Sequence, residues 1–387
     1  MKYAKRMSQV QKSFVREILK VTEKKEVISF AGGLPNPDFF PTKEIAEASS
    51  KILKEDGSSV LQYSTTEGYK PLREFIVDRY YKGCGVSADE ILITNGSQQA
   101  LDLIGKVFLD LEDGIVIEKP GYLGAIQAFS IFEPKFHTVT LNDDGIDIEE
   151  LERVLIEEKP KLFYAVTNFQ NPTGISYSEE TRTKLAKLMK AHDTILIDDN
   201  PYGELCYKDQ VPPSMISLMQ GNMIALGSFS KVFSPGMRLG WICAPKEIIE
   251  KITIAKQASD LHTNYFSQRL LFQYLTENNL DEHISHIRQA YKERKDFMVK
   301  CLEKELPSNV KYTNPDGGMF LWVTLPEGAS SMKLFEEVSA KDVAFVPGIP
   351  FYINCNDINT LRMNYTNSSF EEIEKGVKIF AEVIKKS

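Results

Sequence analysis

Between about residues 90 and 245 the chain repeats a pattern that few folds accommodate: a short β-branched or apolar run, a helical stretch, then another run. The runs are EILIT (90–94), GIVIE (114–118), KLFYAVT (161–167), TILID (194–198), MIAL (223–226) and LGWICA (239–244). Helix-like segments lie between them at 97–109, 122–131, 147–158 and 178–191. Parallel strands need long crossovers, usually helical, so the alternation predicts βαβ units and a mostly parallel sheet. The runs are apolar nearly throughout, which fits a sheet covered on both faces. The expected class is α/β, with a three-layer large domain. Beyond residue 245 the pattern changes. Helical periodicity extends over about 246–305, broken at the polar NNLDEHI; GGMFLWVTL (317–325) and VAFVPG (343–348) read as strands, and 369–386 as a closing helix. This predicts a smaller α+β domain at 281–387, behind a large domain at 31–280 and an N-terminal arm at 1–30. In the arm, Val10, Phe14 and Ile18 share one helical face and need a partner surface, expected on the small domain.

A chain of 387 residues carries two such domains comfortably. Its net charge of −8, without a dense basic run, argues against nucleic acid or an anionic membrane as partner. No stretch approaches the ~20 apolar residues of a membrane span. The first twenty residues hold no apolar core of signal-peptide length, and five scattered cysteines read as reduced thiols, so a cytoplasmic protein is expected. His283 and His286 sit three apart on a polar helix and read as a solvated face, so no metal site is expected.

In open α/β sheets ligands bind beyond the carboxyl ends of the strands. Here those ends are polar: TNGSQQ, EKPGY, TNFQNPTG, DDNPY and GSFSK. In ITNGSQQAL (93–101) Ser97 suits a helix N-cap, and the amides of Gly96, Ser97 and Gln98 suit a phosphate. Neither GxGxxG nor GxxxxGK[ST] occurs, which weakens a dinucleotide or P-loop reading. In QNPTG (170–174) a plain type I turn accounts for Pro172 and Gly174 but leaves Asn171 free to donate into the cleft. ILIDDNPYGEL (195–205) ends a strand with two carboxylates, one of which can hold a heterocyclic nitrogen protonated. GSFSKVFSPGMR (227–238) adds Ser228, Ser230, Lys231 and Arg238. A desolvated lysine near an arginine has a lowered pKa, and its neutral amine is a nucleophile. A hydroxyl and an arginine suit a phosphate. Alone, Lys231 would be one surface cation among 46 lysines and arginines. Together the strand ends offer a phosphate cradle, a carboxylate, a hydroxyl and amide pair, and an amine. Those are the binding requirements of pyridoxal 5′-phosphate.

With these residues in place the chain resembles the fold-type I pyridoxal-phosphate-dependent aminotransferases of class I/II, within them the 2-aminoadipate and kynurenine aminotransferase subgroup. The resemblance runs from SFAGGLPNPDFFP (29–41) through GSQQAL, NPTG, DDNPY, SFSK…GMRLGW and GGMFLW to LRMNYT (361–366). It implies the pyridoxal-phosphate-dependent transferase fold. It further implies that Lys231 is the Schiff-base lysine and proton carrier, Asp199 the partner of the ring nitrogen, and Tyr202 and Asn171 the donors to the 3′ oxygen. Tyr122 would stack on the ring, with Gly96, Ser97, Gln98, Ser228 and Arg238 around the phosphate. Tyr63, in LQYSTTEGY, would reach the phosphate of a neighbouring subunit, making a homodimer. Arg362 would grip the substrate α-carboxylate, and Gly33 would lie over the substrate. Arg16 resembles an arm arginine that some relatives bring to the substrate side chain; a solvated helix arginine is the alternative. The implied reaction is ping-pong transfer of an amino group from an L-amino acid to a 2-oxo acid, 2-oxoglutarate foremost, through pyridoxamine phosphate. A decarboxylase or β-lyase would use the same residues. A regulator of this fold would need a DNA-binding segment, and only about thirty residues precede AGGLP, about half of a marginal ~60-residue domain.

Overall fold

The computed structural model describes residues 3–8, 18, 27–208, 212–219, 221–355 and 358–386. Eight strands form the large sheet, in the order Ile91–Thr94, Gly240–Cys243, Met223–Ser228, Ile195–Asp199, Leu162–Ala165, Gly114–Lys119, Lys135–Asn142 and Gly145–Ile146. The neighbours from Met223–Ser228 through Lys135–Asn142 pair in parallel. Every residue of the strands at 91–94, 162–165, 223–228 and 240–243 is buried, as a sheet sandwiched between helices requires. Each Ile, Leu or Val sealed in this way contributes about 1.5–3 kcal/mol.

All six apolar runs are strands, but Gly240–Cys243 runs antiparallel to both neighbours. The connection at 229–239 is too short for a helical crossover, so the chain must turn straight back. That return has a consequence for the site. Ser228 and Thr94 both pair with Gly240, so Arg238, two residues earlier, lies beside the carboxyl ends of two strands. Lys135–Asn142 was not among the expected strands. Only Val139 in it is fully buried, and its mixed sequence carries little apolar signal.

The helical stretch at 246–305 is three helices, Lys246–Asp260, Tyr265–Glu277 and Leu280–Glu305. One break falls in NNLDEHI, where Asn279 accepts from the amides of Asp281 and Glu282. The other was not expected. It follows Asp260, where Leu261 takes φ +63. The smaller sheet is antiparallel, in the order Lys311–Tyr312, Phe320–Thr324, Thr360–Asn364 and Val346–Pro347. VAFVPG is therefore two short strands, because Val343–Ala344 instead pairs in parallel with Ile28–Ser29. The closing helix, Phe370–Ile384, opens on a capping box of Ser369 and Glu372.

Ile18 is buried in a cluster with Ala31, Trp322, Ala344, Val346 and Phe351, of which Trp322 and Val346 belong to the smaller sheet. Val10 and Phe14 lie outside the described residues. No helix among the described residues is long and apolar enough to cross a membrane.

Candidate active site

Eleven of the residues singled out from the sequence line one cavity of about 250 Å³: Gly96, Ser97, Gln98, Tyr122, Asn171, Asp199, Tyr202, Ser228, Ser230, Lys231 and Arg238. At one end the helix Ser97–Phe108 begins. Its N-cap is Gly96, at φ +77, not Ser97, and no side chain caps it. The Ser97 hydroxyl is buried without a hydrogen-bond partner. An uncapped helix start leaves N–H donors for an anion. Arg238 lies across this end, donating from Nη2 to the Asn95 carbonyl at 2.8 Å and from Nη1 to that of Pro235 at 3.2 Å. A Cβ at Gly96 would sit 2.8 Å from Nη2. Glycine is needed there for its left-handed backbone and for the closeness of the guanidinium. Ser228 Oγ accepts from the Ser230 amide at 3.1 Å.

Asp199 closes the strand Ile195–Asp199 and is 1% exposed. Its Oδ2 accepts from the Tyr164 hydroxyl at 2.8 Å, whereas its Oδ1 has no partner. Burial, and then the neighbouring charge of Asp198, push this carboxyl up to about 7; the Tyr164 bond and the nearby Ser97 hydroxyl, which stands outside hydrogen-bond geometry, pull the other way. Sequence reasoning missed Tyr164. The available signal was a phenol inside the apolar KLFYAVT run, since a buried tyrosine hydroxyl needs a partner.

The Lys231 amine donates to the Gly33 carbonyl at 2.9 Å and stands 5.9 Å from the centre of the Tyr202 ring. Burial foremost, then the charges of Arg362 and Arg238, lower it to about 8. The sequence pointed to desolvation and Arg238; the nearer arginine in effect is Arg362.

Arg362, on the strand Thr360–Asn364, is 3% exposed, so it is no surface arginine. Nη1 donates to Asn171 Oδ1 at 2.7 Å and Nη2 to the Ala31 carbonyl at 2.8 Å. The Phe320 and Phe351 rings lie 4.3 and 5.3 Å from its guanidinium carbon. No carboxylate among the described residues is paired with it, Nε has no partner, and burial lowers its pKa to about 10. Asn171 in turn donates from Nδ2 to the Tyr202 hydroxyl at 3.2 Å. The turn that carries Asn171 is not the plain type I turn expected. The Asn171–Pro172 peptide is cis, Gly174 has φ +76, and the Gly174 amide bonds the Gln170 carbonyl at 2.6 Å. Gln170 pins it from below, donating to Glu118 Oε2 at 3.0 Å and to the Pro120 carbonyl at 2.8 Å.

Tyr63 does not line the cavity; it is 78% exposed and packs edge-on against His262. Arg16 lies outside the described residues.

These groups fit pyridoxal phosphate. The orphaned Asp199 Oδ1 can take a protonated ring nitrogen, the uncapped helix start and Arg238 a phosphate, and Lys231 an aldehyde carbon. Such a site at the strand ends of such a sheet defines a pyridoxal-phosphate enzyme. The chain belongs to the aminotransferase class I and II family, whose model matches residues 25–380. It is 44% identical over 383 residues to aromatic-amino-acid aminotransferase 1 of Thermococcus litoralis, spanning 96% of this chain and 91% of that one. The alpha-aminoadipate aminotransferase of Thermus thermophilus, solved with N-(5'-phosphopyridoxyl)-L-leucine, superposes with a TM-score of 0.93 at 42% identity, over 99% of this chain and 97% of that one. The Pyrococcus horikoshii kynurenine aminotransferase gives 0.95 at 43% identity, over the same shares. The activity is that of an aminotransferase, and its cofactor is pyridoxal 5′-phosphate.

Proposed function

We propose that this enzyme moves an amino group from an L-amino acid to a 2-oxo acid, 2-oxoglutarate foremost, in a ping-pong sequence of two half-reactions. The observation that carries the reading is Arg362, a buried guanidinium with free donor capacity and no carboxylate partner among the described residues. A substrate α-carboxylate supplies the missing anion through paired bonds. Holding it there orients the substrate Cα toward Lys231.

Bound pyridoxal phosphate supplies an electron sink for the pair released when the Cα–H bond breaks. The Lys231 amine, lowered to about 8, takes that proton on Nζ and returns it at the far end of the transfer. With the cofactor bound, Asp199 would hold the ring nitrogen cationic, Tyr202 and Asn171 would donate to the ring oxygen, and Tyr122 would pack against the ring. Gly96, Ser97, Gln98, Ser228 and Arg238 hold the phosphate. Gly33 and Asn171 border the substrate.

In this reading the molecule is a cytoplasmic homodimer in which Tyr63 reaches the partner's phosphate, with an arm at 1–30, a large domain at 31–280 and a small domain at 281–387. The exposure of Tyr63 and the five free cysteines support it.

A panel of aromatic, acidic and aliphatic donors with 2-oxoglutarate, ranked by kcat/KM, tests the activity. Glutamate and a new 2-oxo acid are expected, and without acceptor about one equivalent of oxo acid per subunit. Release of CO₂, or of ammonia with pyruvate, would instead establish a decarboxylase or β-lyase.

A further inference from the structure

Asp199 is held from behind by a group that neither the motifs nor the family resemblance pointed to. Tyr164 stands on the strand Leu162–Ala165, next to the strand that ends in Asp199, and is fully buried. Its hydroxyl donates to that carboxylate, to Oδ2 at 2.8 Å, while Oδ1 is left without a partner. Burial, and then the charge of Asp199, push the phenol well above its ordinary value, so its proton is always present to donate. A carboxylate turns freely about its last torsion unless something fixes it. Tyr164 fixes one oxygen and thereby presents the other.

We propose that Tyr164 is a positioning residue for the cofactor: it engages Asp199 Oδ2 so that Oδ1 meets the ring nitrogen. The proposal rests on the reading of Asp199 as the ring-nitrogen partner. Without the hydroxyl, a carboxylate that is already 1% exposed loses its fixed donor, and buried anions depend on such donors. The ring proton is then held less firmly. Less positive charge on the ring favours protonation elsewhere on the bound cofactor.

The molecule holds its own control. Tyr177 is equally buried and donates to a second buried carboxylate, Glu118 Oε1, at 2.7 Å, but it does not line the cavity. The experiment compares Tyr164→Phe, Tyr177→Phe and Asp199→Asn. Cofactor-free protein is titrated with pyridoxal phosphate, and the holoenzyme absorbance is followed against pH. For Tyr164→Phe the affinity is expected to fall about 10-fold, the loss of one hydrogen bond to a charged group, and the absorbance midpoint to move upward. Its KM should stay near wild type while kcat falls. Tyr177→Phe should leave affinity and midpoint within about twofold of wild type. If Asp199→Asn changes both quantities but Tyr164→Phe changes neither, the proposal is overturned and the reading of Asp199 stands. If Asp199→Asn also changes neither, the reading of Asp199 falls and the proposal with it. Equal shifts in Tyr164→Phe and Tyr177→Phe would mean general loosening of the sheet, which also overturns it.

Discussion

Arg182 and Arg362 are both sealed from solvent, at 0% and 3% exposure, yet their surroundings differ. Arg182 donates to the carbonyls of Tyr177, Thr167 and Pro213, to the Thr167 hydroxyl and to Asn168 Oδ1, beside the charge of Asp198. Arg362 has two acceptors, an unpartnered Nε and no carboxylate among the described residues. The lysines repeat the contrast. Lys256 is paired with Asp260 at 2.9 Å and bonded to Gln99, whereas Lys231 has the Gly33 carbonyl. So do the carboxylates. Glu118 accepts from Val166, Gln170 and Tyr177 on both oxygens, and Asp199 keeps one oxygen open. Behind the strand ends buried charge is saturated; at the strand ends it is deliberately incomplete. A buried polar group that lacks a partner costs stability, and such deficits concentrate where a ligand supplies the partner.

The sharpest way to break this contrast is at the lysines. Lys231→Ala is expected to lower kcat by about 10³-fold or more, the scale of losing both nucleophile and proton carrier. Mass spectrometry after hydride reduction should find no cofactor on the chain. Lys256→Met should keep the covalent cofactor, and a variant that lost it would erase the difference between the two sites. The arginines come next. Arg362→Ala should lower kcat/KM by about 10²- to 10³-fold through the lost charged bonds. Arg182→Met should instead destabilise the fold by about 3 kcal/mol or more, because Asp198 is left buried without its cation. Denaturant titration and kinetics on the folded fraction separate the two effects.

Smaller effects sharpen the picture. Gly96→Ala forces a side chain into φ +77 and toward Arg238, so cofactor affinity should fall about 10-fold, the scale of 1–2 kcal/mol of left-handed strain. Stability should also carry the mark of Lys231. Its folded value near 8 lies below its ordinary 10.5, so protonation favours the unfolded chain. The penalty is full below about pH 8 and disappears as pH rises towards 10.5. Cofactor-free Lys231→Met should therefore melt above cofactor-free wild type at pH 7, by a margin that shrinks through pH 8–10. An unchanged margin across that range would mean the lysine is not desolvated.

The parts of the fold legible in the sequence are those where burial repeats locally. EILIT, KLFYAVT and MIAL are buried on both faces and declare themselves as strands. KFHTVTLN, near the sheet edge, does not. Strand direction in LGWICA depends on the short connection before it, and the end of the helix at Leu261 on a single left-handed residue. At the site, the motifs exposed Lys231 and Arg238 because they lie in the connection after a strand, and Asp199 because it ends one. Tyr164 sits within a strand and looked like core. Least legible were the Gly33 carbonyl that accepts from Lys231 and the Ala31 carbonyl that accepts from Arg362. These are backbone groups, and any residue type would provide them.

Those carbonyls, on Ala31 and Gly33, belong to a segment anchored elsewhere: Phe30 bonds Ala344 and Asn364, beside the pairing of Ile28–Ser29 with Val343–Ala344. Substitution along 30–33 therefore cannot delete the two contacts, whereas removal of one residue would. A deletion shifts the register and aims the wrong carbonyl at each cation. This stretch should tolerate point changes in side chain far better than changes in length, an asymmetry that a library of substitutions and single-codon deletions would expose directly.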